Sequence, residues 1–570
     1  MRNREVARAL KEIALLLEVE GKDKFKPRAY RRAMRAITSL GEDIEAIAKR
    51  DELTEIPGVG KAIAEKISSF LETGKIDLLE RLRERVPVKV MELEAVPGVG
   101  PKTIKLVYDE LGVTDLDLLE KAAEEGRISD LKGMGKKTED QIKEGIQLVR
   151  VGLERKLLSE AMAVCEPIEL YIAEIPGVRK VVTTGSLRRR RETVGDLDIL
   201  VDAEDAAKVM DAFVVYEKVT DVSAKGSTKS SIRLEGGFQV DLRVIPSDSF
   251  GAGLQYFTGS VDHNVRLRAI AQNAGLKLNE YGLFRGEEKV AGSDEAEIYS
   301  ILGLDYVPPE LRENKGEIEA AQQGELPELI EHDDIRGDLH THTDASDGSN
   351  TIEEMLDAAD ARGFEYFCIS DHTQSLTIAN GMDEARLQKC IEEIDDLNAS
   401  GRWKPTILKG AEVDILADGS LDIEDEVLAQ LDVVTVSIHS RMKDSKEVMT
   451  DRVCHALENK YVHVLGHPSG RLLLKRPEFE IDLERVFEVA KSNRVLMELN
   501  AAPSRLDLNA GNLRAARRMG LKVAINTDAH KIHELDFMSY GVYQARRGWL
   551  TKEDVVNTLP LKKLMRVLSK

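Results

Sequence analysis

Apolar residues in this chain come in short runs, and their spacing changes along its length. In the front part, around Ile56, Val96 and Leu131, short helical stretches meet glycine-containing turns and then resume with apolar residues at helical spacing. Near the middle the pattern becomes alternation. Asp196-Leu197-Asp198-Ile199 runs into Leu200-Val201, and Gln239-Val240-Asp241-Leu242-Arg243-Val244 repeats the style. Both read as strands, and the period of two puts Asp196 and Asp198 on one face. In the last third, strand-like runs at Tyr366–Ser370, Val433–Ile438, His463–Gly466, Val495–Leu499 and Val523–Asn526 are separated by amphipathic helices. That order predicts a β/α barrel, in which functional groups sit at the C-terminal ends of the strands.

Composition adds limits. At 570 residues and 42% hydrophobic the chain exceeds what one core usually supports, so several domains are expected. No apolar run approaches the ~18 residues a membrane span needs, and the first segment is interrupted by Arg2, Arg4, Arg8 and Lys11, so neither membrane insertion nor export is indicated. Cys165, Cys368, Cys390 and Cys454 form no closely spaced pair, which argues against a disulfide framework or a thiolate zinc site and suits a reducing cytoplasm. The net charge of −21 is unevenly spread: Met1–Lys315 carries about −6 of it and the remainder about −15. Basic residues bunch at Lys22, Lys24, Lys26, Arg28, Arg31, Arg32 and Arg35, either a solvated helix face or a local phosphate-binding surface. Every histidine except His263 follows Glu331, and the polar stretch from Pro308 to Gly324 reads as a linker.

Three segments share one pattern: Ile56-Pro57-Gly58-Val59-Gly60-Lys61, Val96-Pro97-Gly98-Val99-Gly100-Pro101 and Leu131-Lys132-Gly133-Met134-Gly135-Lys136. Glycines two apart allow a tight turn with positive φ, after which a helix presents free N–H groups and its positive dipole end to a phosphate. One copy would be a structural corner; three copies of this helix-hairpin-helix pattern favour sequence-independent contact with a DNA backbone.

Carboxylates two apart on a strand, with Asp241 on a second strand, can hold two Mg²⁺ ions for in-line phosphoryl transfer. Gly185 allows close backbone approach to phosphate oxygens, Ser186 adds a hydroxyl, and Arg189 offers charge for the transition state. Together with Gly195, Tyr256-Phe257-Thr258-Gly259-Ser260, Asn264 and Asn279-Glu280-Tyr281-Gly282-Leu283, these residues resemble the nucleotidyltransferases, and more closely the family X DNA polymerases, which include DNA polymerase beta. The resemblance implies that Asp196, Asp198 and Asp241 hold the metals, with Asp241 as general base for the primer 3′-hydroxyl. It further implies that Gly185, Ser186, Arg189 and Gly195 face the triphosphate, and Tyr256, Phe257, Gly259 and Asn264 the nucleotide. One departure is Arg190, where beta-like members tend to have a small residue.

The front segment, through Lys26, Ala29-Tyr30-Arg31 and Ile63-Ala64-Glu65-Lys66-Ile67, is similar to the lyase domain of that family. In lyase-active members a lysine matching Lys66 forms a Schiff base with deoxyribose phosphate, which requires a depressed pKa. Ala62 stands where active lyases are often basic, which puts binding of a 5′-phosphate by Lys66 ahead of covalent catalysis.

After the linker come Asp338-Leu339-His340-Thr341-His342, Asp347, Ser370-Asp371-His372, Gly410-Ala411-Glu412, Ser437-Ile438-His439-Ser440, Gly466-His467-Pro468 and Asn526-Thr527-Asp528-Ala529-His530. Histidine and carboxylate ligands without thiolates suit Mn²⁺, Zn²⁺ or Fe²⁺, and a hydroxide bridging such ions is a nucleophile at neutral pH. The set resembles the PHP (polymerase and histidinol phosphatase) domain. It matches all nine ligand positions of the competent pattern: His340, His342, Asp347, His372, Glu412, His439, His467, Asp528 and His530. The resemblance implies a trinuclear Mn²⁺ or Zn²⁺ site. Arg471 and Lys443 are cations available to a substrate phosphate, whereas His332, His455, His463 and His533 lack motif context.

The expected architecture is multidomain: α-helical helix-hairpin-helix domains, an α+β nucleotidyltransferase palm and thumb, and a distorted β/α barrel. The expected ranges are a lyase-like domain at 1–85, fingers at 86–150, palm at 151–249, thumb at 250–315, linker at 316–334 and PHP domain at 335–570. The expected function is short-gap DNA synthesis in base excision repair with 3′–5′ exonuclease or 3′-end processing by the barrel, and incision at abasic sites as a further activity. Partners would be dNTPs and gapped or nicked duplex DNA with a primer 3′ end and a 5′-phosphate; a cytoplasmic, prokaryotic monomer acting on nucleoid DNA is expected. Two other readings remain open. The barrel alone acts as a phosphoesterase with a non-polymerising, DNA-binding front half, or the chain is a DNA-end binding scaffold.

Overall fold

The computed structural model describes all residues except Met1, Asp23, Lys24, Ser39, Gly41, Glu42 and Lys570, so Lys24 of the basic cluster lies outside the described residues. The chain divides into two units, Met1–Glu154 with Leu474–Arg476, and Arg155–Leu473 with Pro477–Lys570.

The first unit is helical. Helix Asn3–Glu20 forms because Val6, Leu10, Ile13, Ala14 and Leu17 recur at three- and four-residue intervals and all are buried; it stops at Gly21, whose left-handed backbone lets its N–H reach the Leu17 carbonyl at 3.0 Å. One apolar core runs from Val6 to Ile146, straight across the expected division at 85/86. The three repeats build three alike corners. Gly58, Gly98 and Gly133 have φ of +88°, +87° and +83°, where a side chain would be strained. The second glycine of the first two pairs serves differently from the expectation: Gly60 and Gly100 are extended N-caps (φ −83° and −94°) opening helices Lys61–Thr73 and Pro101–Leu111.

In the second unit, a five-stranded sheet has the order Val178–Thr183, Leu197–Ala203, Gln239–Val244, Lys229–Leu234, Val219–Lys225. Leu197–Ala203 and Gln239–Val244 are parallel, and their register pairs Asp198 with Asp241. Buried Leu197, Ile199, Val240 and Leu242 fix that register, because a slip of one residue would turn them out of the core. Helices Phe250–Thr258, Val261–Asn273 and Glu295–Ile301 accompany a small three-stranded antiparallel sheet.

The stretch expected to be a linker is packed. Helix Glu317–Gln323 buries Ile318, Ala320 and Ala321 in the same cluster as Leu267, Tyr299 and Trp549. The Glu317 carboxylate accepts N–H groups of Asn314 and Lys315 (2.8 and 2.6 Å) and pairs with His263 at 2.7 Å. Glu317 is spent on these internal bonds while Glu319, Gln322 and Gln323 form the outer face of an amphipathic helix, so polarity there does not signal a solvated tether.

The remainder is a parallel seven-stranded sheet in chain order, Gly337–Asp338, Tyr366–Ile369, Thr406–Asp414, Val433–Ser437, Val464–Leu465, Leu496–Asn500, Val523–Asn526. A bridge between Thr341 and Ala529 ties the chain beyond the first strand to the chain beyond the last, so the barrel is nearly closed.

Candidate active sites

In the five-stranded sheet, the strand pleat aims Asp198 away from the core that holds Leu197 and Ile199, and the next strand sets Asp241 beside it. Gly185 has φ +61°, and a Cβ there would lie 2.5 Å from Asp198 Oδ2, so only glycine lets this turn close on the carboxylate. Thr184 N–H donates to the Asp198 carbonyl at 2.7 Å and holds the turn in place. Burial, then the charges of Asp196 and Asp241, push the Asp198 carboxyl up to about 6. For Asp241 burial is the largest influence and would raise it. Hydrogen bonds from Ser231, from Lys229 (3.1 Å) and from Gln239 (3.2 Å) outweigh that and hold it below the usual range. Asp196 stands just before the strand, which begins at Leu197, and not on it as the alternation predicted; its charge and that of Asp241 both bear on Asp198, and such a set of carboxylates suits hard divalent cations. They are spaced more loosely than the barrel ligands, and among the described residues they form no group whose ligand atoms all lie within 4.8 Å of one another.

Ser186 lies on the short helix Gly185–Arg188, next to the turn. Arg189 does not face open space. It is mostly buried, at 3.2 Å from Glu313 and in contact with the Thr258 carbonyl, and Glu313 also pairs with Arg191 and Arg547. Arg190 (φ +54°) lies over the Tyr543 ring at 4.3 Å, which accounts for a large residue where a small one was expected. Tyr256 and Phe257 meet edge to face at 5.1 Å, with Arg243 over the Phe257 ring. Gly259 lies against Arg189, whose Nη1 would be 3.1 Å from a Cβ there. Asn264, expected at the nucleotide, spends its amide internally: it accepts from Gln255 and donates to the Tyr256 carbonyl, each at 2.7 Å. In the first unit, Lys66 donates to the Ala62 carbonyl at 2.7 Å and lines an open cavity of about 1170 Å³ with Lys22, Lys26, Arg32, Lys61 and Arg81.

The barrel gathers its histidines at one end. His340 and His342 follow the first strand, His372 the second, Glu412 lies on the third, and His439, His467, Asp528 and His530 follow later strands. Three overlapping sets have ligand atoms all within 4.8 Å: His342, Asp347, His372 and His530; His340, His342, Glu412 and Asp528; and His372, Glu412 and His439. His467 joins them through Nε2, 2.9 Å from Glu412. Among the described residues, His340 Nε2, His342 Nδ1, His372 Nδ1, His467 Nδ1 and Glu412 Oε2 are buried without hydrogen-bond partners. Such orphans are costly unless a cation takes their lone pairs, so these residues fit a metal centre. Burial, then His530 and His372, push His342 down to about 3, leaving a neutral imidazole with a lone pair to give. His467 and Asp528 hold φ of +26° and +54°, unusual for side-chain-bearing residues and typical of over-determined functional positions.

A supporting layer escaped the sequence reading. Fully buried Glu498 accepts from the His467 N–H (2.6 Å) and Asn526 (2.9 Å) and faces His340 Nδ1 at 2.7 Å. Asp414 faces His439 Nδ1 at 3.2 Å. Carboxylates that grip the second ring nitrogen fix tautomer and orientation. The alternation Glu498-Leu499-Asn500 on a strand, with two polar residues facing the mouth, was the available signal. Arg471 is not open to substrate: it is buried, donates to the Leu506 carbonyl and pairs with Glu192 at 2.7 Å. Lys443 is exposed on the loop after His439. Away from the centre, His455 contacts the Asp418 carbonyl and His463 accepts from the Val434 N–H.

Family comparisons match residues 1–76 to a helix-hairpin-helix domain, 90–147 to a SAM-like helix-hairpin-helix tandem, 253–313 to the DNA polymerase beta thumb and 338–502 to the PHP domain. Over 567 residues, 99% of this chain and 98% of the relative, the sequence is 38% identical to DNA polymerase/3′-5′ exonuclease PolX of Bacillus subtilis (strain 168). It is 27% identical to DNA polymerase lambda of Rattus norvegicus over 55% of this chain and 56% of that protein. It is 29% identical to a probable phosphatase of Thermoanaerobacter sp. (strain X514) over 39% of this chain and 89% of that one. Among the described residues no helix is long and apolar enough to cross a membrane.

Proposed function

The chain belongs to the family X DNA polymerases that carry a C-terminal PHP domain, and we propose that it fills short gaps in DNA at the palm carboxylates and trims 3′ ends at the barrel centre. The observation that carries this reading is the presence of both donor sets in one chain: Asp198 and Asp241 in register beside Asp196, and the overlapping histidine and carboxylate groups of the barrel.

Divalent ions, Mg²⁺ in the palm and Mn²⁺ or Zn²⁺ in the barrel, would supply Lewis acidity when bound to Asp196, Asp198 and Asp241 and to the nine barrel residues. The protein's own groups do the rest. Asp241 takes the proton of the primer 3′-hydroxyl as its oxygen attacks the α-phosphorus and pyrophosphate leaves. The Gly185 turn and the Ser186 hydroxyl hold phosphate oxygens. Arg189 reaches a triphosphate only by leaving Glu313, which keeps Arg191 and Arg547 as partners. Hairpins at Gly58, Gly98 and Gly133 offer backbone N–H groups to the DNA backbone, and among the described residues nothing beyond the chain neighbours lies within 4 Å of a Cβ position at Gly60, Gly98, Gly100, Gly133 and Gly135, which leaves room for that approach. The cation-lined cavity around Lys66 suits the 5′-phosphate of a gap, ahead of Schiff-base chemistry. Repair of gapped or nicked DNA in a prokaryotic cytoplasm follows as the setting.

The test is extension of a primer on a one-nucleotide gapped duplex bearing a 5′-phosphate, in Mg²⁺ or Mn²⁺, with and without dNTPs. Asp196→Ala/Asp198→Ala is expected to lose extension alone, and His340→Ala/His342→Ala 3′ shortening alone. A wild type that shortens without ever extending would make the barrel phosphoesterase the better account.

A further inference from the structure

Arg505 stands on the loop after strand Leu496–Asn500, beside the barrel centre. Its Nε lies 3.6 Å from Asp528 Oδ2, so the guanidinium sits beside a residue of the centre. Asp528 does not need it: the same Oδ2 already accepts from Asn500 at 2.9 Å. Among the described residues the Arg505 guanidinium makes no hydrogen bond, and its side chain keeps 20% of its surface exposed. A planar fork of N–H donors at the edge of an acidic, histidine-rich centre, with its donors unspent, matches the non-bridging oxygens of a phosphodiester.

Two other arginines of the barrel are committed. Arg471 is spent on Glu192 and the Leu506 carbonyl, and Arg386 on carbonyls of Ala345, Asn380 and Gly381. The loop that carries Arg505 is also held rigidly. Asn500 and Asp507 exchange backbone bonds across it, and Asp507 accepts from the Ser469 N–H (3.0 Å) and hydroxyl (2.8 Å), tying it to the loop of His467. A pre-positioned donor loses little freedom when it engages substrate.

We propose that Arg505 grips a non-bridging oxygen of the scissile phosphodiester at the barrel centre. The inference rests on the nuclease reading of that centre. Water oxygen bonds to phosphorus, the bond from phosphorus to the 3′-oxygen of the preceding nucleotide breaks, and that oxygen leaves with a proton. Arg505 neutralises the charge that builds on the phosphoryl oxygens.

The experiment compares wild type with Arg505→Met, Arg505→Lys and Arg505→Ala for shortening of a labelled 3′ end, gap filling, bound metal by elemental analysis, and calorimetric binding of thymidine 5′-monophosphate. Binding is measured in the Asp196→Ala/Asp198→Ala background to remove the palm nucleotide site. Expected for Arg505→Met are shortening slower by about 100-fold, nucleotide binding weaker by about tenfold, and unchanged metal content and gap filling. Arg505→Lys should keep part of the rate, and added guanidinium should restore part of it to Arg505→Ala. Wild-type shortening by Arg505→Met, or loss of metal in step with activity, would overturn the proposal. A wild type that fails to shorten but binds the mononucleotide through Arg505 sinks the nuclease reading instead and leaves the phosphate contact standing.

Discussion

Glu295 shows how one residue can tie a catalytic loop to the rest of the molecule. It pairs with Arg312 at 2.5 Å and Arg188 at 2.8 Å, and all three are largely buried. Burial is the strongest influence on its carboxyl and would raise it, but the two guanidinium groups prevail and hold it down at about 2. A carboxylate depressed on folding contributes stability above its unfolded pKa, near 4.5, and loses it as pH falls toward 2. That span corresponds to about 3 kcal/mol. Glu295→Gln should therefore cost about 3 kcal/mol at pH 7, and its unfolding midpoint should depend less on pH between 4.5 and 2 than that of wild type; equal slopes would refute this. Gly185→Ala drives a methyl into Asp198, so gap filling should fall by at least ~100-fold while 3′ shortening stays at wild-type level in the same preparation. Site residue types were legible at this scale because each motif names its own chemistry. What arginines pair with was not. Arg189 finds Glu313 and Arg471 finds Glu192, far along the chain, and no local pattern marks such partners.

Helices and strands were legible where apolar spacing was unmixed. The five barrel strands read from the sequence all form, and Gly337–Asp338 and Thr406–Asp414 were passed over because the first is two residues long and the second carries Lys409, Glu412 and Asp414. Helix Glu317–Gln323 was hidden because its polar residues include Glu317, whose carboxylate bonds internally rather than facing solvent. At the hairpins, the difference between paired glycines yields a test. Gly60 and Gly100 are extended with open space around them, so Gly60→Ala/Gly100→Ala should leave the melting temperature nearly unchanged. DNA binding should weaken severalfold, because the added methyls stand where phosphates approach. Gly58→Ala differs. At φ +88° and with Arg32 2.8 Å from the new Cβ, it should destabilise the first unit by about 1 kcal/mol or more. The two variants exchanging these phenotypes would contradict the assignment.

Within the second unit, palm, thumb and barrel are held together by polar bonds as much as by apolar packing. Arg471 and Gln544 both meet Glu192, Arg547 donates to the Arg189 carbonyl and pairs with Glu313, and Arg546 reaches Glu310 and Glu331. Glu192 lies in the chain between Gly185 and Asp196, while Arg471 follows His467 by four residues, so one ion pair joins the loops of both candidate centres. A double-mutant cycle of Glu192→Gln and Arg471→Met, read by denaturant unfolding, should give a coupling of at least ~1 kcal/mol; strictly additive losses would mean the pair is incidental. The sequence hid this assembly because the linker reading treated the barrel as tethered, whereas Trp549 and Ile318 share one core.

The register of Asp198 against Asp241 also bears on how such a centre persists through mutation. The residues alternating with those carboxylates are the ones that hold the sheet together, so a shifted pairing that spoiled catalysis would also expose the core and be cleared by proteolysis. Inheritance of the fold thus tends to carry the reaction with it, and substitutions that silence the polymerase while leaving a healthy protein are confined to the acids themselves and the Gly185 turn that closes on them.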